Sequence, residues 1–233
     1  IIRRDPTRVE TARRRMSRPL PDRAFAASVA IIAWSALFLQ YALLVRATLH
    51  GIGPALATLR FLSFFTILSN LLVALTTTFA ALAGSSAPAG LFARPRVRGA
   101  AALCIGITCG IYFFVLATKW SPQGLQWLAD VALHYAVPGL YLAWWLACVP
   151  HRRLQWGDAL RWLSLPLAFL AWTLLRGAWL QEYQYPFVNV DELGVAAVAR
   201  NCAGIGVLFL LFGFVLVGID RVIGRRARGI PAA

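Results

Sequence analysis

Arg60, Ser63, Thr66 and Asn70 follow one another at steps of three, three and four inside an apolar run. That is the spacing of neighbours on one face of a helix. A second polar set, Gln126, Asp130 and His134, recurs at steps of four, and Pro138 and Tyr141 continue its face. These residue types could support nucleophilic chemistry. A threonine hydroxyl is a weak nucleophile until a base takes its proton, and a neutral imidazole is the usual base near pH 7. Thr66 and His134 are the candidate catalytic pair. Asp130, one turn before His134, could orient the imidazole or could instead pair with Arg60 or Arg176. Asn70, one turn past Thr66, could donate to an oxyanion. Tyr41, Arg176 and Asn201 join Arg60, Ser63, Asn70 and Asp130 as candidate supporting or substrate-binding residues. Ser69 lies off the first stripe and reads as packing.

The same inventory excludes other chemistries. His134 is the only histidine within an apolar segment; His50 and His151 fall in connectors. A catalytic zinc normally takes three protein ligands, and Asp130 with His134 supplies two. A haem held by two histidines lacks its second ligand. A retinal Schiff base needs a buried lysine, and Lys119 lies at a segment end. No metal or other cofactor is expected. Cys104, Cys109, Cys148 and Cys202 show no CxxC spacing and read as small apolar packing residues.

The elements that must position these groups are membrane helices. Of the 233 residues, 60% are hydrophobic and 14% charged. Six stretches approach the ~20 residues that a helix needs to cross a bilayer: Ala24–Ala47, Leu59–Ala83, Gly99–Thr118, Leu125–Val149, Ala159–Leu180 and Val195–Ile219. The first is too long for a cleaved signal peptide alone. The expectation is an all-α polytopic membrane protein: one six-helix domain over 23–223, a basic tail over 1–22 and another over 224–233. Chain starts at Ile1 rather than Met, so a few residues are expected to precede it.

Charge placement orients the bundle. The net charge of +14 could suggest nucleic acid, but the arginines alternate with the segments. Eight precede the first segment, Arg94, Arg96 and Arg98 lie in the second connector, Arg152 and Arg153 in the fourth, and Arg221, Arg225, Arg226 and Arg228 follow the sixth. The first and fifth connectors, "HGIGPALAT" and "QEYQYPFVNVDE", carry no Lys or Arg. This is the positive-inside pattern with both termini cytoplasmic, and the tails suit anionic headgroups rather than nucleic acid. Lys119 is the only lysine among 23 basic residues, a usage that fits a GC-rich bacterium and hence its cytoplasmic membrane. In this topology Thr66 lies roughly 10 Å and His134 roughly 14 Å below the outer surface, at 1.5 Å per residue. The expected pocket lies in the outer half between the second and fourth helices, with contributions from the other four. Trp120, Trp127, Trp156 and Trp179 read as interfacial belts. Tyr183, Tyr185 and Phe187 read first as interfacial anchors and second as a lid. No oligomeric state follows from the sequence.

Residue types and spacing leave three readings open: polar groups bonding helices together, catalysis by Thr66 and His134, or solute transport through an Asp130–His134 relay. A family resemblance bears on the choice. The run "FFTILSNLLVAL" (Phe64 to Leu75), the "HYAVPGLYL" of the fourth helix and the "YPFVNVDELG" of the fifth connector together resemble the bacterial six-helix branch of the FAR-17a/androgen-induced family. The likeness covers roughly Ala24 to Asp220. Animal members are membrane threonine hydrolases that cleave fatty acid esters of hydroxy fatty acids. The resemblance implies that Thr66 is the nucleophile, that His134 is its base, and that the substrate is a lipid or fatty-acid ester. The animal proteins lack the full "TILSN" pattern and differ in their loops, so the chemistry transfers more directly than the substrate. A non-catalytic lipid-binding or sensing protein is the further alternative.

Overall fold

In a computed structural model of the chain, residues 20–48, 51–82, 87–119 and 121–226 are described. Most of both basic tails, together with His50 and Trp120, lies outside them. Every regular element among the described residues is helical. Six helices are long and apolar enough to cross a membrane: Pro21–Thr48, Phe65–Leu82, Pro95–Lys119, Gly124–Cys148, Trp156–Leu180 and Val190–Gly224. They are called the first to sixth spans below. The chain is thus an all-α, multi-pass membrane protein. Its periphery is apolar, with Phe114 79%, Val195 73% and Trp179 72% exposed, as a lipid-facing surface requires.

The second span departs from the single helix expected over Leu59–Ala83. A short helix, Gly53–Leu62, precedes it, and the two are separated at Ser63 and Phe64. Ser63 and Phe64 donate tight three-residue bonds to the Arg60 and Phe61 carbonyls. The Ser63 hydroxyl also donates back to the Leu59 carbonyl at 2.6 Å, the kind of local competition that bends helices. Trp172 of the fifth span donates to the Ser63 oxygen at 3.0 Å and secures the break. The break leaves the first backbone amides of the second span without helical partners.

The third and fourth spans each contain a π-helical turn, Tyr112–Leu116 and Ala132–Ala136. Proline accounts for the second. Pro138 has no N–H, and its ring crowds the carbonyl four residues earlier, that of His134. Widening the turn ahead of it relieves that contact, and Val137 donates to Ala132, five residues back. In the same register a residue at 138 would donate to Leu133. Pro138 cannot, and the buried Asn70 side chain donates to the Leu133 carbonyl instead, at 3.1 Å.

The core is apolar and aromatic: Trp144, Trp145, Tyr141, Leu103, Ile105 and Val73 are all essentially inaccessible. Gly106 lets the third span approach the sixth, since a Cβ there would lie 2.5 Å from the Phe212 ring. The connectors rich in arginine gather at one end of the bundle. There Asp158 holds Arg96 (2.8 Å) and Arg161 (2.9 Å), and Asp220 accepts the Arg153 and Leu154 amides at 3.0 Å each.

Candidate functional site

The two polar stripes meet. Thr66 Oγ1 lies 3.3 Å from His134 Nε2, within the loose range typical of a nucleophile and base before substrate binds. His134 Nδ1 faces two acceptors of Asp130, the backbone carbonyl at 3.0 Å and Oδ1 at 3.2 Å. With acceptors on that side, Nδ1 carries the proton and Nε2 is left as an acceptor toward the Thr66 hydroxyl. This is the tautomer that general-base catalysis needs.

Asp130 does not pair with Arg60 or Arg176. Its second oxygen, Oδ2, accepts the Tyr112 hydroxyl at 2.5 Å. The Tyr112 ring also stacks on the His134 imidazole, with centroids 3.7 Å apart and planes 15° from parallel. Each of these rings rides on one of the two π-helical turns, elements that recur at functional sites. Tyr112 was one of several outer-half polar residues in the sequence, and its neighbours gave no sign of this role. Only the pairing of the third and fourth spans brings it onto the histidine.

Asn70 is not an oxyanion donor. Its amide nitrogen is committed to the Thr66 carbonyl at 2.8 Å and the Leu133 carbonyl at 3.1 Å. It braces the backbone at Thr66 against the backbone beside His134. Ser69 bonds Thr108 of the third span at 2.8 Å, which agrees with a packing role.

Arg60 and Arg176 converge on a residue that the spacing did not single out, Glu182. Arg60 Nε donates to Glu182 Oε1 at 2.7 Å, and its Nη2 makes a second contact with the same oxygen. The buried Arg176 donates from Nη2 to Oε2 at 3.0 Å and from Nη1 to the Glu182 carbonyl at 3.1 Å. This clamp fixes the start of the fifth connector, which leaves the fifth span at Gln181 in the left-handed conformation (φ 52°). Ser63 bonds Trp172 rather than Thr66 or His134. Tyr41 bonds Thr58 at 2.8 Å, and Asn201 donates to the Phe187 carbonyl at 3.0 Å. The side-chain hydrogen bonds of these three go to groups other than Thr66 and His134.

Beside Thr66 lies a cavity of about 830 Å³, counted as all empty space to its open side. The expected polar pocket between the second and fourth spans is instead an apolar cavity among the second, third, fifth and sixth. Ile107, Leu163, Leu167, Leu170, Ile205 and Phe209 are among its walls, and Thr66, Tyr112, Thr173 and Tyr185 supply polar groups. Leu163 to Thr173 is ten residues, so it follows roughly 15 Å of the fifth span. His134 is not part of its lining. Thr66 therefore sits at a seam, with the cavity on one side and the His134–Asp130–Tyr112 cluster on the other.

The fifth connector closes the cavity near Thr66. Tyr185 is buried, and its oxygen accepts the Phe65 amide at 3.0 Å at the helix break. Phe187 stacks on its ring at 5.2 Å, and both line the cavity. Of the two readings of these aromatics, the lid describes Tyr185 and Phe187. Burial raises the Tyr185 phenol above its ordinary value near 10, although the Phe65 and Thr66 groups that bond its oxygen pull the other way. No protein-family profile, curated protein or solved structure matches the chain.

Proposed function

We propose that the protein is a membrane hydrolase of lipid esters, with Thr66 as nucleophile and His134 as general base. The observation that carries this reading is the 3.3 Å approach of Thr66 Oγ1 to His134 Nε2 at the wall of a long apolar cavity. The chemistry proceeds in two halves. His134 Nε2 takes the Thr66 proton as Oγ1 attacks the ester carbonyl. The tetrahedral adduct then expels the alcohol, which leaves with the proton held by His134. Water, deprotonated by His134, attacks the acyl-threonine and releases the fatty acid. Asp130 orients the imidazole and stabilises its charge, and Tyr112 holds Asp130. The apolar cavity suits the acyl chain, because burying its methylenes there is favourable by about 0.8 kcal/mol each. The resemblance of "FFTILSNLLVAL" and "HYAVPGLYL" to the FAR-17a/androgen-induced family supports the same assignment.

The proposed setting is the cytoplasmic membrane of a bacterium, with both termini inside. Gathering of the arginine-bearing connectors at one end of the bundle supports that orientation. A proton relay through Asp130 and His134 has less support, because Tyr112 and His134 engage the two Asp130 oxygens.

Activity-based labelling in native membranes tests the reading. A fluorophosphonate should label the wild type, and Thr66→Ala should abolish the label. His134→Ala should abolish turnover of a long-chain 4-nitrophenyl ester. Equal labelling of Thr66→Ala would remove Thr66 as the nucleophile. Proton-driven uptake that depends on Asp130 and His134 but not on Thr66 would favour transport.

A further inference from the structure

We infer that Tyr185 is a catalytic residue, whose hydroxyl donates to the oxyanion that forms on the substrate carbonyl when Thr66 attacks. The inference rests on the hydrolase reading and extends it to a group in the fifth connector.

The helix break supplies the first part. The second span starts at Phe65, so the Phe65 and Thr66 amides stand at a helix N-terminus, where partial positive charge collects. The Phe65 amide donates to Tyr185 Oη at 3.0 Å, and the Thr66 amide also acts on that oxygen. A hydroxyl that accepts from amides is polarised into a stronger donor. With its lone pairs turned to the helix end, its hydrogen is left for an acceptor on the cavity side.

Geometry supplies the second. Thr66 and Tyr185 line the same cavity, whereas His134 does not. The base thus stands behind the nucleophile and the phenol stands in front. A carbonyl carbon brought to Thr66 Oγ1 from the cavity presents its oxygen to Tyr185. Donors fixed where charge develops are commonly the largest single catalytic contribution. Asn70, the donor expected from spacing, is unavailable for this role because its amide is committed to two carbonyls. Burial also raises the phenol above its ordinary value, so its proton is in place throughout the neutral range.

Rigidity supplies the third. Three residues before Tyr185, Glu182 is gripped by Arg60 and Arg176. Gly177 makes room for the Tyr183 ring, which a Cβ there would meet at 2.1 Å. Phe64 and Phe169 pack edge-on against the Tyr185 ring, each with its centroid at 6.2 Å. The connector therefore holds the phenol fixed, as preorganised stabilisation requires.

The test is Tyr185→Phe in the full-length protein in detergent micelles, which keeps the ring and removes the oxygen. With a long-chain 4-nitrophenyl ester, kcat should fall by about 10²-fold and KM should stay within twofold. Inhibition by a long-chain trifluoromethyl ketone, whose adduct on Thr66 carries the same oxyanion, should weaken by a similar factor. Inhibition by the product fatty acid should not change. A purely structural tyrosine would not separate the ketone from the fatty acid. If Tyr185→Phe does not fold, 3-fluorotyrosine incorporated at Tyr185 keeps the shape with a more acidic phenol, and the alkaline limb of kcat should move to lower pH. A kcat of Tyr185→Phe within twofold of wild type, or an unmoved alkaline limb, overturns the inference and leaves the Thr66 reading intact. Full activity of Thr66→Ala in the same assay overturns both.

Discussion

Pro138 and Asn70 are predicted to be energetically coupled across two spans. Asn70 is fully buried and makes two side-chain bonds, to the Thr66 and Leu133 carbonyls. They are not equivalent. Within the second span the Asn70 backbone amide lies four residues past Thr66, so that carbonyl keeps a helical partner when the side chain is cut back. The Leu133 carbonyl has no such reserve, because the residue that would serve it in the π register is Pro138. Truncation to Asn70→Ala strands a buried acceptor at about 1–3 kcal/mol. Side-chain bonds in membrane interiors average nearer 0.6 kcal/mol, with a maximum of about 1.7, so the expected loss is about 1–2 kcal/mol. In Pro138→Ala the restored N–H can reach a carbonyl of the turn. Asn70→Ala should then cost about 0.5 kcal/mol or less, a coupling of about 1 kcal/mol. Reversible unfolding in mixed detergent and SDS micelles, read by tryptophan fluorescence for the four proteins of the cycle, measures this. Additivity within about 0.3 kcal/mol would refute the assignment of Asn70 to the orphaned carbonyl. Pro138→Ala has a second consequence. If the turn relaxes to 3.6 residues, one fewer residue in the bulge rotates the chain by about 100°, which carries His134 away from Thr66 and lowers kcat.

Tyr112→Phe keeps the ring stacked on His134 and removes only the bond to Asp130. Losing about 1 kcal/mol of positioning corresponds to roughly a fivefold fall in kcat with KM unchanged, read by steady-state ester hydrolysis. Glu182→Gln removes the carboxylate shared by Arg60 and the buried Arg176. The Glu182 side chain is 37% exposed, so the loss should be about 1–3 kcal/mol, below the 3–5 kcal/mol of a fully buried pair. It should lower kcat in parallel by loosening the Tyr185 connector; thermal unfolding and turnover together check it.

Three structural features favour the proposed catalysis. Thr66, the proposed nucleophile, stands at a helix break inside the bundle, where freed backbone donors are tolerated because they are buried in protein and line a cavity. His134, the proposed base, stands on a widened turn that proline induces. The cavity between them and the fifth span is apolar. Each fact traces to a specific residue: Ser63 for the break, Pro138 for the turn, and the leucines and isoleucines of the third, fifth and sixth spans for the cavity.

The sequence alone determined the membrane class and the six apolar segments, and it placed Thr66 and His134 on two polar stripes at similar depth; their meeting at 3.3 Å was decided by the tertiary structure. Hydrophobic length and helical periodicity are local quantities, and residues on two stripes in an apolar chain must turn inward or go unsatisfied. Asp130 beside His134 was legible for the same reason, since one turn of one helix relates them. Only the tertiary structure decided what came from other helices. Tyr112 reaches the imidazole through the packing of the third span on the fourth. Glu182 takes both arginines because the fifth connector folds back over the bundle. Asn70 turned from donor to brace because Pro138 left a carbonyl without a partner on a neighbouring helix. The π-helical turn at Tyr112 was hidden, since periodicity counts 3.6 residues per turn and a one-residue expansion leaves no compositional mark there; Pro138 marked a disturbance of the fourth span without specifying a widened turn. Such long-range pairings depend on which faces meet and in what register, and no window of sequence contains that.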